Sequence, residues 1–388
     1  MKGVIEILTA TLPDGTPVVL NETHQREHLR AWRLTEQFAC PQCGERVLLK
    51  VGSVRIPHFS HVSDSTCSAN FSEGESQPHL QGKQLLHSMF QRLNKLPVLE
   101  PFIPELAQRP DLLIEHDGRS IPIEFQCSRL PEDVKAGRTI GYQSIGIEPV
   151  WILHTPNKYR DLPEGLNVYS FTAFQQLFFS EELSPERTLL TLSPETKQFH
   201  YFSHLLPLEG NRFIGIHRKL SISLQIFPFA RPKLPDDQLI QIYCKFYKYH
   251  RKTYLERVLF LNRKGVQNPF LKACYEMKMR PTELPAWIGV PVKYNGAFTV
   301  PDCEWQLGII YMLKRFGFSS SRVPIQRLRR FIHSYPGYKE DQLLACTEYL
   351  HFLQRINWKK KDFLSNERIE LEILNLLLDR FLALQMEN

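Results

Sequence analysis

Two groups of residues in this 388-residue chain are of the types, and at the spacings, that chemistry requires. The first lies in RPDLLIEHDGRSIPIEFQCS, Arg109 to Ser128. Leu112, Leu113 and Ile114 form a short apolar run, and His116-Asp117-Gly118-Arg119 supplies a tight turn with Asp-Gly as its hairpin signal. Ile121, Ile123 and Phe125 give the returning strand. Asp111 opens the first strand behind a proline, and Glu124 and Gln126 stand two apart in the second, so these two face the same side. An acid from one strand then converges with an acid and an amide from its neighbour. Oxygen ligands held that way suit Mg²⁺ or Mn²⁺, bound through one or two carboxylates with water and substrate phosphate. Flanked by Ile123 and Phe125, Glu124 needs a partner if its strand is buried.

The second group is Cys40-Pro-Gln-Cys43-Gly, followed by His58-Phe-Ser-His61 and by Cys67. Two thiolates two residues apart around a turn can take two corners of a tetrahedron. Five candidates compete for four places. Cys40, Cys43, His61 and Cys67 are the preferred set, because His58 and His61 in an extended segment point to different sides. A sharp turn at Phe59-Ser60 would let His58 replace Cys67. A redox Cys-x-x-Cys belongs at a helix start beside a βαβ pattern, whereas a short strand follows here. The expectation is a structural zinc with a closed ligand shell, stapling a small module poor in apolar residues.

Pro110-Asp111 followed by an acid-x-polar pair on the next strand resembles the core of the PD-(D/E)xK nuclease superfamily. RPDLLIE, IEFQCS, Arg138, Tyr142 and the run Trp151 to Leu153, with the CPQC and HFSH pieces upstream, resemble the competence protein CoiA family over roughly the first half of the chain. The resemblance implies a nuclease-like αβββαβ core in which Asp111 and Glu124 hold Mg²⁺ or Mn²⁺. Gln126 stands where the superfamily usually places Lys; it can orient a water but adds no charge. The family's E-S-x-x-H-x-x-x-K pattern reappears as Glu75, Ser76, His79 and Lys83. Glu75 is thereby implied as a third acid, His79 as a DNA-facing group and Lys83 as the cation missing at 126. His87, on the same helical face, reads as solvated. Arg138 and Tyr142, at i and i+4 of the next helix, either point at the scissile phosphate or lock that helix to the sheet. The implied activity is processing of DNA, single-stranded or branched, in natural transformation and recombination. The alternatives are a DNA-binding mediator that keeps the fold without turnover, and an adaptor that docks a strand-exchange recombinase.

These residues need elements to position them. Leu85, Met89 and Leu93 repeat at i, i+4 and i+8, widened by Leu86 and Phe90, which predicts a helix from Gln77 to Asn94. A strand near Val98 to Ile103, a helix from Pro131 to Gly146 and a strand from Pro149 to Thr155 complete the core. Upstream, a hairpin over 4–20, a helix from Glu22 to Leu34, and strands at Val47–Val51 and Val54–Ile56 are expected. Turn residues at 184–195 mark a boundary, and from Gln238 helical patterns dominate. The fold class is α/β (α+β). A zinc-ribbon-like module spans 1–70, a restriction-endonuclease-like domain 71–180, and a mostly helical domain 181–388.

Basic residues interleave with aromatics at 245–252, again at Arg327, Arg329, Arg330 and Phe331, and a lysine run occupies 359–361. Phosphate neutralisation and base stacking call for such a surface. A net charge of +7 and a pI near 8.9 are compatible with nucleic acid, and 43% hydrophobic residues permit a sizeable core. No run of about 18 apolar residues occurs, and the start lacks a secretory cleavage pattern. Eight cysteines with one close pair argue for a reducing, cytoplasmic setting. Cys244, Cys274, Cys303 and Cys346 read as core thiols.

Overall fold

The structure is a computed structural model describing residues 6–21, 23–62, 67, 76–180, 188–233, 235–261, 265–359 and 364–382. Its first part is a six-stranded sheet made of β1 (Glu6–Ile7), β2 (Thr9–Thr11), β3 (Pro17–Val19), β4 (Phe38–Ala39), β5 (Arg46–Lys50) and β6 (His58–His61), with helix α1 (Arg26–Thr35) inserted after β3. The β2–β3 hairpin turns through Asp14-Gly15, where Gly15 takes φ 86° and the Asp14 carboxylate accepts the Thr16 N–H at 2.8 Å. The strand expected at Val54–Ile56 is not formed. Val54 is 82% exposed, so pairing there would bury nothing, and Pro57 has no N–H to donate. The returning strand begins just after that proline as His58–His61, paired antiparallel with β5.

The second part follows the expected order: α2 (Gln77–Arg92), β7 (Val98–Leu99), β8 (Leu112–His116), β9 (Arg119–Gln126), α3 (Glu132–Ser144) and β10 (Val150–His154). Asp117 and Gly118 both adopt positive φ, 51° and 73°, the geometry that lets a two-residue hairpin match strand twist. β8 and β9 pair with Leu112 opposite Ile123, and β10 lies parallel to β9 after the α3 crossover. Beyond β10 come α4 (Asn157–Arg160), β11 (Gly165–Ser170), α5 (Ala173–Gln176), β12 (Leu189–Ser193), β13 (Gln198–Glu209) and β14 (Arg212–Ser221). They extend the sheet to eight strands in the order β11-β14-β13-β12-β10-β9-β8-β7. The boundary expected at 180 therefore falls inside this sheet, with β12 parallel to β10. β12 and most of β13 are buried on both faces, so they lack the alternation that would mark them in the sequence.

Helices then dominate: α6 (Asp237–Leu261), α7 (Pro269–Glu276), α8 (Asp302–Phe316), α9 (Ile325–His333), α10 (Lys339–Arg355) and α11 (Asn366–Leu382). Their core includes Trp305, Leu313, Tyr349 and Leu377, the four cysteines read as core thiols, and Leu206, Ile214 and Ile216 from β13 and β14. Among the described residues no helix is long and apolar enough to cross a membrane.

The N-terminal sheet packs on the nuclease-like one through α2. A single cluster joins Ile7, Leu8, Val47 and Phe59 to Leu80, Leu86 and Phe90 of α2 and to Ile123 and Phe125 of β9. Gly82 permits the close approach, since a Cβ there would lie 2.0 Å from the Phe125 ring. Covered on both sides, α2 has no solvated face at His87. That residue is 5% exposed, and burial lowers its pKa, correcting the expectation of a solvated histidine.

Candidate active site

Asp111 sits at the mouth of β8. Its Oδ2 accepts the Phe125 N–H at 2.7 Å and lies 3.2 Å from Nε2 of His79, which α2 brings down onto the sheet edge. Burial alone would raise this carboxyl. The charges of His79 and Lys83 and the Phe125 N–H outweigh it and hold Asp111 well below the usual carboxylate range.

Glu124 faces the other helix. It is 2% exposed, and its Oε1 accepts the Tyr142 hydroxyl at 2.5 Å and the Arg138 guanidinium. The i, i+4 spacing lays both residues of α3 over one carboxylate. Arg138 also donates to the Arg109 carbonyl at 3.1 Å and rests on the Trp151 ring. Burial pushes Glu124 up to about 7 and the Asp111 charge adds to it, against the opposing pull of Arg138 and Tyr142. Arg138 and Tyr142 therefore tie α3 to the sheet through Glu124, the second of the two readings their spacing left open, and Tyr142 is fully buried. Among the described residues every hydrogen bond to the two carboxylates falls on Oδ2 of Asp111 or Oε1 of Glu124. Among the described residues the other oxygen of each accepts none.

The remaining expectations divide. Gln126 lies at the end of β9, its amide donating to the Ser128 carbonyl at 3.0 Å. His79 contacts Asp111, so it positions an acid where a DNA contact was the expectation. Lys83 is fully buried and pairs with Glu100; its charge reaches Asp111 electrostatically, but its ammonium is not presented to a substrate. Glu75 lies outside the described residues. Arg329 and Arg330 are exposed on α9 and Arg327 lies over Phe316 at 4.5 Å. Within the 245–252 cluster Tyr247 is buried, Arg251 donates to the carbonyls of Leu284, Pro285 and Ile288, and Lys248 pairs with Glu370, while Lys245, Tyr249 and Lys252 are exposed.

Two features carry no motif. Glu100, 5% exposed, accepts the Leu8 N–H at 3.1 Å, the Thr9 hydroxyl at 2.9 Å and the Lys83 ammonium, tying the N-terminal sheet to α2. His154 ends β10 with its ring 6.2 Å from that of Phe125 and its Nε2 3.5 Å from Glu195, which Arg160 holds at 2.8 Å.

In the N-terminal sheet, Cys40-Pro-Gln-Cys43-Gly closes into a knuckle: the Gly44 N–H meets the Cys40 carbonyl at 2.9 Å, with Gly44 at φ 71°. His61 from β6 and Cys67 complete the group. The ligand atoms of Cys40, Cys43, His61 and Cys67 all lie within 4.8 Å of one another, and Cys43 Sγ is 3.6 Å from His61 Nε2. A tetrahedral zinc with bonds of about 2.0–2.3 Å separates its ligands by about 3.5–3.8 Å, so the group fits that ion. Burial, with the neighbouring Cys67 and Cys40, pushes the Cys43 thiol up to about 12, a crowding that a divalent cation relieves. His58 turns away, its Nδ1 2.9 Å from the Ile56 carbonyl and its Nε2 3.6 Å from Glu6.

Residues 75–229 match the family model for the nuclease-like domain of competence protein CoiA, and residues 21–70 match the model for the N-terminal domain of the same protein. The chain is 29% identical over 362 residues to competence protein CoiA of Bacillus subtilis (strain 168), covering 87% of this chain and 90% of that one. No solved structure matches it. With both of its N-terminal parts matched in order and most of its length aligned to such a protein, the chain belongs to the competence protein CoiA family.

Proposed function

We propose that this protein is a divalent-metal-dependent nuclease that processes DNA during natural transformation, with Asp111 and Glu124 as the ligands of Mg²⁺ or Mn²⁺ and a structural zinc on Cys40, Cys43, His61 and Cys67. The observation that carries the reading is a pair of acids, Asp111 just before β8 and Glu124 in the adjacent β9, each with one oxygen anchored by protein donors and the other without a hydrogen bond among the described residues.

The ion, when bound, supplies positive charge to the scissile phosphate and makes water a better acid. The rest is done by the chain. Phe125 N–H and His79 fix the Asp111 carboxylate and keep it ionised. Arg138 and Tyr142 fix Glu124 through Oε1 and leave Oε2 available. Burial makes the Glu124 charge costly when the site lacks a cation, so the site is primed to take one. Gln126 orients a water through its amide and contributes no charge. Lys83 and Arg109 lend positive potential from behind, since both act electrostatically on Glu100 and Lys83 on Asp111.

Cleavage assays over single-stranded, duplex and branched DNA with Mg²⁺ or Mn²⁺ test this directly, with metal-dependent scission of at least one substrate as the expected result. A second reading is a DNA-binding recombination mediator without turnover, favoured by Gln126 and by Arg138 already occupying one oxygen of Glu124. DNA binding without cleavage under every metal would select it.

A further inference from the structure

Helices α7, α8 and α9 line an open cavity of about 660 Å³ that the nuclease-like centre does not use. That size is within the roughly 300–1,000 Å³ of small-ligand pockets. Its walls are aromatic: Tyr311 and Phe316 from α8, Phe331 from α9, and Tyr335 beyond it. Gly308 belongs to the design, since a Cβ there would come within 2.8 Å of the Phe331 ring. Arg315, Arg327 and Arg330 also line the cavity. Arg327 lies 4.5 Å over the Phe316 ring, and Arg315 donates to the Tyr311 hydroxyl at 3.0 Å. None of these three arginines forms an ion pair with a carboxylate among the described residues. On α6, by contrast, Lys248 pairs with Glu370, Lys252 with Glu256, and Arg251 with backbone carbonyls. The acids nearby are already engaged, Glu304 by the Tyr254 hydroxyl and Glu276 by Tyr311 and Lys272.

Unpaired guanidinium groups around an aromatic cavity are complementary to a planar base that carries a phosphate. Arginine pairs bidentately with phosphate oxygens, and aromatic faces stack any base without regard to sequence. From this we infer that the α7–α9 cavity is a nucleotide-binding groove that holds one or two nucleotides of single-stranded DNA, bases against the aromatic walls and phosphates on Arg315, Arg327 and Arg330. The inference rests on the reading that DNA is the ligand of this chain. It adds a second contact, in the helical part, that would hold a strand while another part of it lies at Asp111 and Glu124.

The test uses the full chain without added divalent ion, so that binding is read apart from cleavage. Affinity for a labelled oligo(dT) is measured by fluorescence anisotropy across a salt series, with dTMP and thymidine as competitors. Arg327→Ala with Arg330→Ala is expected to weaken oligo(dT) binding at least about tenfold and to make the salt slope shallower by about 1.4, the share of two phosphate contacts on a single strand. Phe316→Leu, at an exposed position, is expected to cost about fivefold through lost stacking. Competition by dTMP and not thymidine would place a free nucleotide in the same groove; failure of dTMP with oligo(dT) still sensitive to the variants would assign the groove to the polymer. An unchanged affinity and slope in the folded arginine variant would overturn the proposal, as would loss of binding to an acidic protein partner with DNA binding intact. Cleavage is scored separately. Scission with groove-insensitive binding defeats only the groove, and groove-dependent binding without scission defeats only the nuclease.

Discussion

The Cys/His group could hold a metal ion and the carboxylate pair is proposed to, but the two would leave different things behind in the cation's absence. Three thiols and an imidazole meet at the first, where burial, with the neighbouring Cys67 and Cys40, raises the Cys43 pKa. Asp111 and Glu124 instead have His79 and Arg138 against them. On the proposed function the first site would depend on zinc for folding, whereas the second, held in shape by the protein, would need Mg²⁺ or Mn²⁺ for chemistry alone.

Removing the first metal should have the largest effect. Cys43→Ser is expected to lose the zinc and to unfold the N-terminal sheet, costing at least about 5 kcal/mol given the binding energies of structural zinc sites. Because Phe59 and Leu8 share a core with α2, protection should also fall around Leu80 and Phe90 in hydrogen exchange. A folded, reduced protein that contains no zinc in elemental analysis would refute this. Lys83→Met comes next. It strands the buried Glu100 carboxylate and should cost about 3–5 kcal/mol in denaturant unfolding. Adding Glu100→Gln should recover a good part of the loss, because the uncompensated charge goes with it.

A smaller effect concerns pH. Glu124 is raised to about 7 in the folded chain from an ordinary 4.5. The folded state thus holds the proton more tightly than the unfolded one, so this contribution to stability is complete below about pH 4.5 and is lost as pH rises through about 7. Mg²⁺ binds the ionised form. Thermal melts should therefore show a larger Mg²⁺-induced rise in Tm at pH 8 than at pH 5, and an equal rise at both would contradict the assignment of Glu124 as a ligand. The smallest expected change belongs to Gln126→Lys. It returns a charge beside the water without disturbing either acid, so cleavage should persist or increase a few-fold, read as initial rates at fixed Mg²⁺.

How much of this was legible in the sequence depends on how far apart the partners lie. The Asp117-Gly118 turn, the α2 stripe and the Cys-x-x-Cys knuckle are local signals, and each led to the right element. Glu100 was invisible because its partner Leu8 lies 92 residues away and no motif surrounds it. The spacing of Arg138 and Tyr142 states that they share a face of α3 but not that Glu124 lies beneath it. β12 and β13 show no alternation because both their faces are covered, which is why the sheet continues past the turn-rich stretch that resembled a boundary. His87 failed for the same reason, since a helix roofed by a second sheet has no solvated side.

The central claim is that Asp111 and Glu124 share a divalent ion that hydrolyses DNA. Asp111→Asn keeps the shape, and its amide oxygen can still accept the Phe125 N–H, while removing the charge the ion requires. The direct measurement is the rate of Mg²⁺-dependent cleavage by this variant and by the wild type, on whichever DNA of the panel the wild type cuts, with zinc content and melting temperature recorded alongside. The account predicts a loss of about 100-fold or more in a folded protein with its zinc retained; equal rates in the two proteins would contradict it.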